Sequence, residues 1–518
     1  MFFTIALLSI PAFGQQKYWI FLKDKDFVQF DPYQYFDSKA IERRQRERIP
    51  LNEFSDLPVR EDYISCLKNN TEEVVFVSRW FNAICVKAKE EQIRNIENLN
   101  FVQKIIGIYM QSHLADFNFE KNLDEEGEEL LMNQTQRMQG NLFVENGFNG
   151  KGIRIAIFDA GFPTVDTNPA FDLIRKEKRI IATYDFAKKK EFVYSYNTHG
   201  TMVFSCIGGM IDGKKIGLAT GAEFLLARTE ITGEFFSEEE NWLAAVEWAD
   251  KNGADIINSS LGYTYNRYFT EDMDGKTSMV SRAANMAAHK GILVVNAIGN
   301  DGTTDWKVLG APADADSVLS VGGISPATDI HMNFSSYGPT SDFRMKPNIS
   351  AYCRTVVSAQ SKLTISSGTS FASPLIAGFA ACAWQSKRDL KCMEMFREIE
   401  KSGNLYPYYD YAHGYGIPQA NYFTSKDSVK TVSPTFSFVK QGDSLTIYAK
   451  KEFLKKEVHK YLSEDYMFYH IEIDNILSEY GVYEVFNQVV FSIPLEDLKR
   501  NTIIRVRFEN YFEEYKIE

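Results

Sequence analysis

The chain has 518 residues, too many for one ordinary hydrophobic core, so two to four domains are expected. Hydrophobic residues make up 44% and charged residues 24%, the balance of a globular protein rather than a disordered one. A formal net charge of −12 argues against nucleic-acid binding as a main role, although an acidic surface names no partner.

Phe2 to Ile10 form an apolar run, and Pro11-Ala12-Phe13-Gly14 follows before polar Gln15-Gln16. This is the apolar core of an export signal, with small residues placed for a cut after Gly14. A basic start is missing, and a buried first strand or a membrane anchor are the alternatives. With residues 1–14 read as a signal peptide, the protein is expected to be secreted, on the cell surface or periplasmic. No other stretch approaches the roughly 18 apolar residues of a membrane helix, so no membrane span is expected in the mature chain.

Residues 15–112 read as a small α+β domain. Lys17–Leu22, Glu73–Val77, Phe81–Ala88 and Val102–Met110 have strand character, and Glu90–Asn98 is a short amphipathic helix. Residues 113–133 are polar and acidic, notably Asp124-Glu125-Glu126-Gly127-Glu128-Glu129, and read as an exposed linker and processing region. From 134 to 423 short apolar runs alternate with helical stretches. Ile153–Phe158, Glu223–Ala227, Asp255–Asn258, Ile292–Asn296 and Val318–Val321 suit strands buried on both faces of a parallel sheet. Ligands of such sheets bind at the carboxyl ends of the strands. Residues 424–518 turn aromatic and β-branched, with strands expected at Thr435–Val439, Ser444–Ala449, Tyr466–Ile473, Val482–Ile493 and Thr502–Tyr511, as in a small β-sandwich.

The six cysteines are spread too thinly for a disulfide framework, and none has metal-ligand spacing. Cys206 and Cys382 lie in apolar helical runs and read as buried thiols.

Three short stretches carry the chemistry. Ile155-Ala156-Ile157-Phe158-Asp159-Ala160-Gly161 ends an apolar strand on a carboxylate, Asn197-Thr198-His199-Gly200-Thr201 sets a histidine before a helix, and Gly368-Thr369-Ser370-Phe371-Ala372-Ser373-Pro374 sets a serine just inside one. Singly, each has a plain structural explanation: a strand-end turn, a structural histidine, a helix cap. Together they supply what a serine hydroxyl needs to attack near neutral pH, namely an adjacent base and a group that orients it. A helix start adds backbone N–H groups and a positive dipole end near any developing oxyanion.

In the order Asp, His, Ser, these blocks resemble the signature blocks of the subtilisin-like serine peptidases, the subtilases. Val294-Val295-Asn296-Ala297-Ile298-Gly299-Asn300 is similar to the segment that supplies that family's side-chain oxyanion donor, and Asn258-Ser259-Ser260-Leu261-Gly262 to its substrate-binding edge. Phe371 and Ile298 depart from the commoner residues, outside any proton-transfer role. The finer pattern at Ala160-Gly161-Phe162, Ala311–Ser317 and Gly414–Pro418 resembles secreted subtilases of Bacteroidetes-type bacteria.

The resemblance implies an α/β subtilisin-like parallel sheet flanked by helices, with an N-terminal α+β prodomain and a C-terminal β-sandwich. It implies a secreted serine endopeptidase made as a zymogen, with catalytic Asp159, His199, Ser370 and Asn300. Substrate would bind at Ser260, Leu261 and Gly262 on one side and Ala297, Ile298 and Gly299 on the other, in an apolar first pocket. Partners would be protein or peptide substrates and the chain's own propeptide as inhibitor, with no nucleic acid. The chemistry requires no cofactor; structural calcium is compatible with the family, but no metal residue can be named. Two rivals stand beside this reading: a non-catalytic binding or adhesion protein on the same scaffold, and a transpeptidase. For residues 17–112 the alternative to a propeptide is a permanent binding module. Asp272-Met273-Asp274-Gly275 reads as a plain turn before a calcium loop, and His289, His331 and His413 as surface or turn residues. The C-terminal domain lacks a Pro-Asn-Pro opening and reads as accessory.

Overall fold

The computed structural model describes residues 16–108, 125–231, 238–264, 267–425, 432–454, 466–496, 498 and 500–517. The expected signal peptide and residues 113–124 of the expected linker lie outside the described residues. By packing, the chain divides into two units. The first holds described residues 16–36 and 50–108; the second takes in Asp37–Ile49 and everything described from residue 125 onward.

In the first unit, strands Gln16–Leu22, Glu73–Ser78, Ala83–Ala88 and Val102–Ile108 form one antiparallel sheet in which Gln16–Leu22 lies between the last two. Alternating Tyr18, Ile20 and Leu22 meet Ile84, Val86, Leu67 and Ile96 in its core. Helices Glu61–Asn70 and Glu90–Glu97 supply the last two of these. The first helix escapes a sequence reading because only Leu67 of its ten residues is buried, too weak a periodic signal.

The second unit is built on seven parallel strands in the order Ile349–Tyr352, Val318–Ile324, Leu293–Ala297, Ile256–Ser259, Arg154–Asp159, Glu223–Arg228 and Ile180–Asp185. The interior strand Arg154–Asp159 is buried at every position because helices cover both faces. Ile155 and Ile157 join the core of helices His199–Gly208 and Thr369–Ser386, while Phe158 meets Trp242 of helix Glu238–Lys251 edge-on. The two edge strands, Ile180–Asp185 and Ile349–Tyr352, were outside the sequence expectation. The first is only partly buried and so lacks a uniform apolar run.

The linker boundary requires correction. Where an exposed acidic linker was expected, Glu125–Gln136 is a helix that buries Leu130, Leu131 and Gln134. Glu125, Glu126 and Glu128 fall in its first turn, where carboxylates favour a helix start. The Gln134 amide then bonds the Val356 N–H at 2.9 Å and its carbonyl at 3.1 Å, in place of a neighbouring strand. The second unit therefore includes this helix, ahead of residue 134.

Beyond residue 432 the expected antiparallel sheets are present. One contains Phe436–Gln441, Ser444–Ala449 and Val489–Pro494; the other Ile476–Glu484, Tyr466–Ile473, Thr502–Phe508 and Tyr511–Lys516. Leu445, Ile447, Tyr469, Ile471, Ile504 and Val506 close one core between them. The single strand expected at Val482–Ile493 is two strands belonging to different sheets. Burial raises the Cys206 and Cys382 thiols to about 12, which leaves them inert. Among the described residues no helix is long and apolar enough to cross a membrane.

Candidate active site

The carboxyl edge of the sheet collects the residues singled out from the sequence. Asp159 ends its strand with 0% exposure, and its Oδ1 accepts from the Ala160 N–H at 2.7 Å and meets His199 Nδ1 at 2.8 Å. That contact fixes which ring nitrogen faces the carboxylate and turns the other edge of the imidazole toward the Thr369–Ser386 helix. There the His199 and Phe371 rings lie 5.7 Å apart between centroids. His199 opens its own helix, and the Asn197 side chain accepts its N–H at 2.9 Å. Asn197 is thus an orienting residue that an Asx two places before a helix start could have signalled.

Ser370 is the second residue of its helix and is 6% exposed. Gly368 before it has φ +146°, a conformation that L side chains rarely adopt, so the chain can turn sharply from the hairpin strand Lys362–Ser367 into the helix. Pro374 stands four residues after Ser370 and has no N–H to offer the Ser370 carbonyl. Ser260 takes over: its hydroxyl donates to Ser370 O at 2.9 Å, while the Ser370 hydroxyl donates to Ser260 O at 3.2 Å. The serine-bearing helix start is thereby tied to the Asn258–Gly262 edge, and the Ser373 hydroxyl repeats the tie to Asn258 at 3.0 Å.

Asn300 is exposed, and its amide is held in one orientation. Its Oδ1 accepts from both the Thr369 N–H at 2.9 Å and the Thr369 hydroxyl at 3.0 Å, which commits the NH₂ to the Gly368 side. The role of Thr369 was not foreseen; threonine at the first turn of a helix signals only capping. Ala297 and Ile298 are both buried, and Ile298 packs with Leu309 and Ala313. Its side chain thus joins a small core beside this edge. Leu261 is half-buried, Gly262 is exposed, and a Cβ added to Gly262 would meet nothing within 4 Å. The edge is open there.

Two further carboxyls lie beside this edge. Thr229 donates to Asp159 O at 2.9 Å, and the next residue, Glu230, accepts from the Tyr263 hydroxyl at 3.0 Å. Burial, reinforced by neighbouring Glu238, holds the Glu230 carboxyl well above the usual range. These residues carry no sequence signal because Glu230, Glu238 and Tyr263 meet only in three dimensions.

Other candidates resolve structurally. Asp274 accepts from the Lys276 and Thr277 N–H groups at 2.7 Å each, and Asp272 from the Phe269 N–H at 2.9 Å, so these carboxylates brace turns. Among the described residues no group of three or more His, Cys, Asp or Glu side chains is arranged to hold a metal ion. His289 is exposed, as expected. His413 is not: it is 3% exposed, pairs with Asp410 at 3.0 Å and accepts the His331 N–H at 2.9 Å.

A profile of the subtilase family, Peptidase S8, matches residues 150–416, and one of the Peptidase S8 propeptide domain of Bacteroidota matches residues 17–125. Among curated proteins, serine protease AprX of Bacillus subtilis is 30% identical over 54% of this chain and 68% of its own length. Subtilisin DY of Bacillus licheniformis is 28% identical over 45% of this chain and 77% of its own. Among solved structures, fervidolysin of Fervidobacterium pennivorans, a keratinolytic enzyme related to subtilisin, matches with a TM-score of 0.55 at 17% identity, over 95% of this chain and 71% of its own, a likeness of fold.

Proposed function

The chain belongs to the subtilase family of serine peptidases and carries a propeptide domain, and on that premise we propose that it is a secreted endopeptidase made as a zymogen, with Asp159, His199 and Ser370 as its triad. The observation that carries this is the buried 2.8 Å contact between Asp159 and His199 beside the helix start that presents Ser370. In the mechanism, the Ser370 hydroxyl turns from Ser260 O to His199 Nε2, one rotation about χ1. Ser370 Oγ attacks the scissile carbonyl carbon as His199 takes its proton. Asp159 holds the imidazole in the required tautomer and stabilises the imidazolium that forms.

The tetrahedral oxyanion sits between the Asn300 NH₂ and the Ser370 backbone N–H. Thr369 matters here because it occupies the amide oxygen of Asn300, leaving the donor end committed in advance, so little reorganisation is needed as charge develops. Collapse breaks the C–N bond, and His199 protonates the departing amine. Water then enters, gives its proton to His199 and attacks the acyl carbonyl, and Ser370 leaves with the proton returned from His199. Substrate backbone lies along Ser260, Leu261 and Gly262, where the open face of Gly262 admits a second main chain.

The experiment is to express the wild type beside Ser370→Ala and sequence the N-termini of the products. Autoprocessing between residues 112 and 135 in the first alone supports nucleophile and zymogen together. A processed wild type that does not label at Ser370 with a fluorophosphonate overturns the assignment.

A further inference from the structure

Helix Ser38–Glu47 lies, by sequence, inside the span matched by the propeptide profile, yet it packs as part of the second unit. Its contacts are those of a core element. Arg43 and Arg44 are both 0% exposed and share the carboxylate of Asp250, which is 2% exposed; Arg44 Nη2 stands 2.7 Å from Asp250 Oδ2, and Arg43 bonds Oδ1. Arg43 also donates to the backbone carbonyls of Lys290, at 3.0 Å, and of Ala254. One guanidinium thus stitches together the ends of helices Glu238–Lys251 and Met279–His289.

Both ends of the helix are fastened as well. Asp37 caps it at the Lys39 N–H, pairs with Arg154 at 3.1 Å and donates its own N–H to Lys251 O at 2.9 Å. Glu47 accepts the Cys392 N–H at 2.8 Å, and Arg46 lies over the Trp384 ring and 3.3 Å from Asp255. The receiving surface is shaped to it. Gly291 lies so close that a Cβ there would come within 2.3 Å of the Glu47 side chain, and one on Gly253 within 2.7 Å of Lys39 Cβ.

On the sheet, the partners stand at or before the starts of strands: Arg154 opens its own strand, Ala254 and Asp255 precede Ile256, and Lys290 and Gly291 precede Leu293. The candidate active site occupies the opposite ends of the same strands, roughly 17 Å away at about 3.3 Å per residue. Occupancy of this helix site therefore does not obstruct the triad. Holding on to the N-terminal segment and blocking the active site are physically separate tasks.

We propose that Asp37–Ile49 is a permanent structural element of the catalytic unit, so that cleavage after residue 108 yields a two-chain enzyme whose N-terminal fragment stays bound through this buried helix. The inference rests on the zymogen reading only for the cut itself. Retention follows from threading: the segment continues at both ends into the first unit, and release requires two buried guanidinium groups to leave the buried carboxylate of Asp250.

The test uses full-length Ser370→Ala with a site-specific protease sequence inserted within residues 113–124, cut by that protease and run on gel filtration at about 1 µM, well below the millimolar range of weak contacts. The expected result is one peak containing both fragments, with amides 40–47 equally protected from hydrogen exchange before and after cutting. An N-terminal fragment eluting alone in native buffer overturns the proposal. Arg43→Ala/Arg44→Ala should weaken retention at least 100-fold. Should that double variant fail to fold, Arg46→Ala/Glu47→Ala, which touches only the rim, should weaken it about tenfold. Unchanged retention in the folded variant also overturns the anchor. Because the cut is made by another protease, absence of self-processing in the wild type defeats the zymogen reading without touching this result.

Discussion

The two ends of the central sheet each bury an aspartate against nitrogen partners, and they are built for opposite purposes. At the amino end, both oxygens of Asp250 are taken by guanidinium groups that no solvent reaches. At the carboxyl end, Asp159 presents one oxygen to His199 and the Ala160 N–H, while its Oδ2 is buried without a hydrogen-bond partner among the described residues. Asn300 and Gly262 beside it are exposed. A saturated pair is a lock, since any separation strands charge in a low-dielectric interior. An unsaturated pair keeps capacity for a proton and a charge that arrive only during reaction.

The comparison can be broken in order of expected effect. Ser370→Ala should reduce kcat by about 10⁶ with an unchanged melting temperature, read by single-turnover kinetics and calorimetry. Asp159→Asn should lower kcat by about 10⁴, because the amide favours the wrong imidazole tautomer. An equal loss of KM and kcat instead would mean that Asp159 only shapes the edge. At the other end, Asp250→Ala should cost about 3–5 kcal/mol of stability in denaturant titrations while leaving the kcat of folded protein unaltered. Asn300→Ala should lower kcat by about 10²–10³ with little change in KM.

The smallest effect tests pH. His470 is fully buried, takes a hydrogen bond from Arg505 on Nε2 at 3.2 Å and contacts the Tyr409 carbonyl through Nδ1. Burial, with the Arg505 cation alongside, pushes its pKa down to about 4, and burial beside His413 does the same for His331. The folded values lie below an unfolded value of about 6.5, so the unfolded chain binds more protons between the two. The stability these groups confer is complete above about pH 6.5 and is lost as pH falls toward 4, by about 3 kcal/mol for each. His470→Gln should remove roughly half of that acid loss in melts between pH 7 and 4.5; an undiminished loss would locate the sensitivity elsewhere.

Legibility followed the range of the forces involved. The buried strands were readable because two-sided burial demands uniform apolar runs, and the Asp159, His199 and Ser370 blocks because each needs its helix start or strand end within a few residues. Partly buried elements escaped. Strand Ile180–Asp185 and helix Glu61–Asn70 bury too little to leave a pattern. The acidic start of Glu125–Gln136 imitated a linker because its charges stand outside while Leu130 and Leu131 face the core. Ile298 was legible as apolar, but its packing partners Leu309 and Ala313 follow in a separate loop and could not be paired with it from the sequence.

By itself the sequence determined the order of domains, the parallel sheet, and the chemical identity of an Asp, a His, a Ser and an Asn in subtilase order, since local periodicity and short motifs encode these. Only the tertiary structure decided that Thr369 sets the Asn300 amide, that Ser260 answers the carbonyl left open by Pro374, and that a helix from the propeptide span lies in the core beside Asp250. Those are meetings of residues tens to hundreds of positions apart, and their energy exists only once the chain has closed around them.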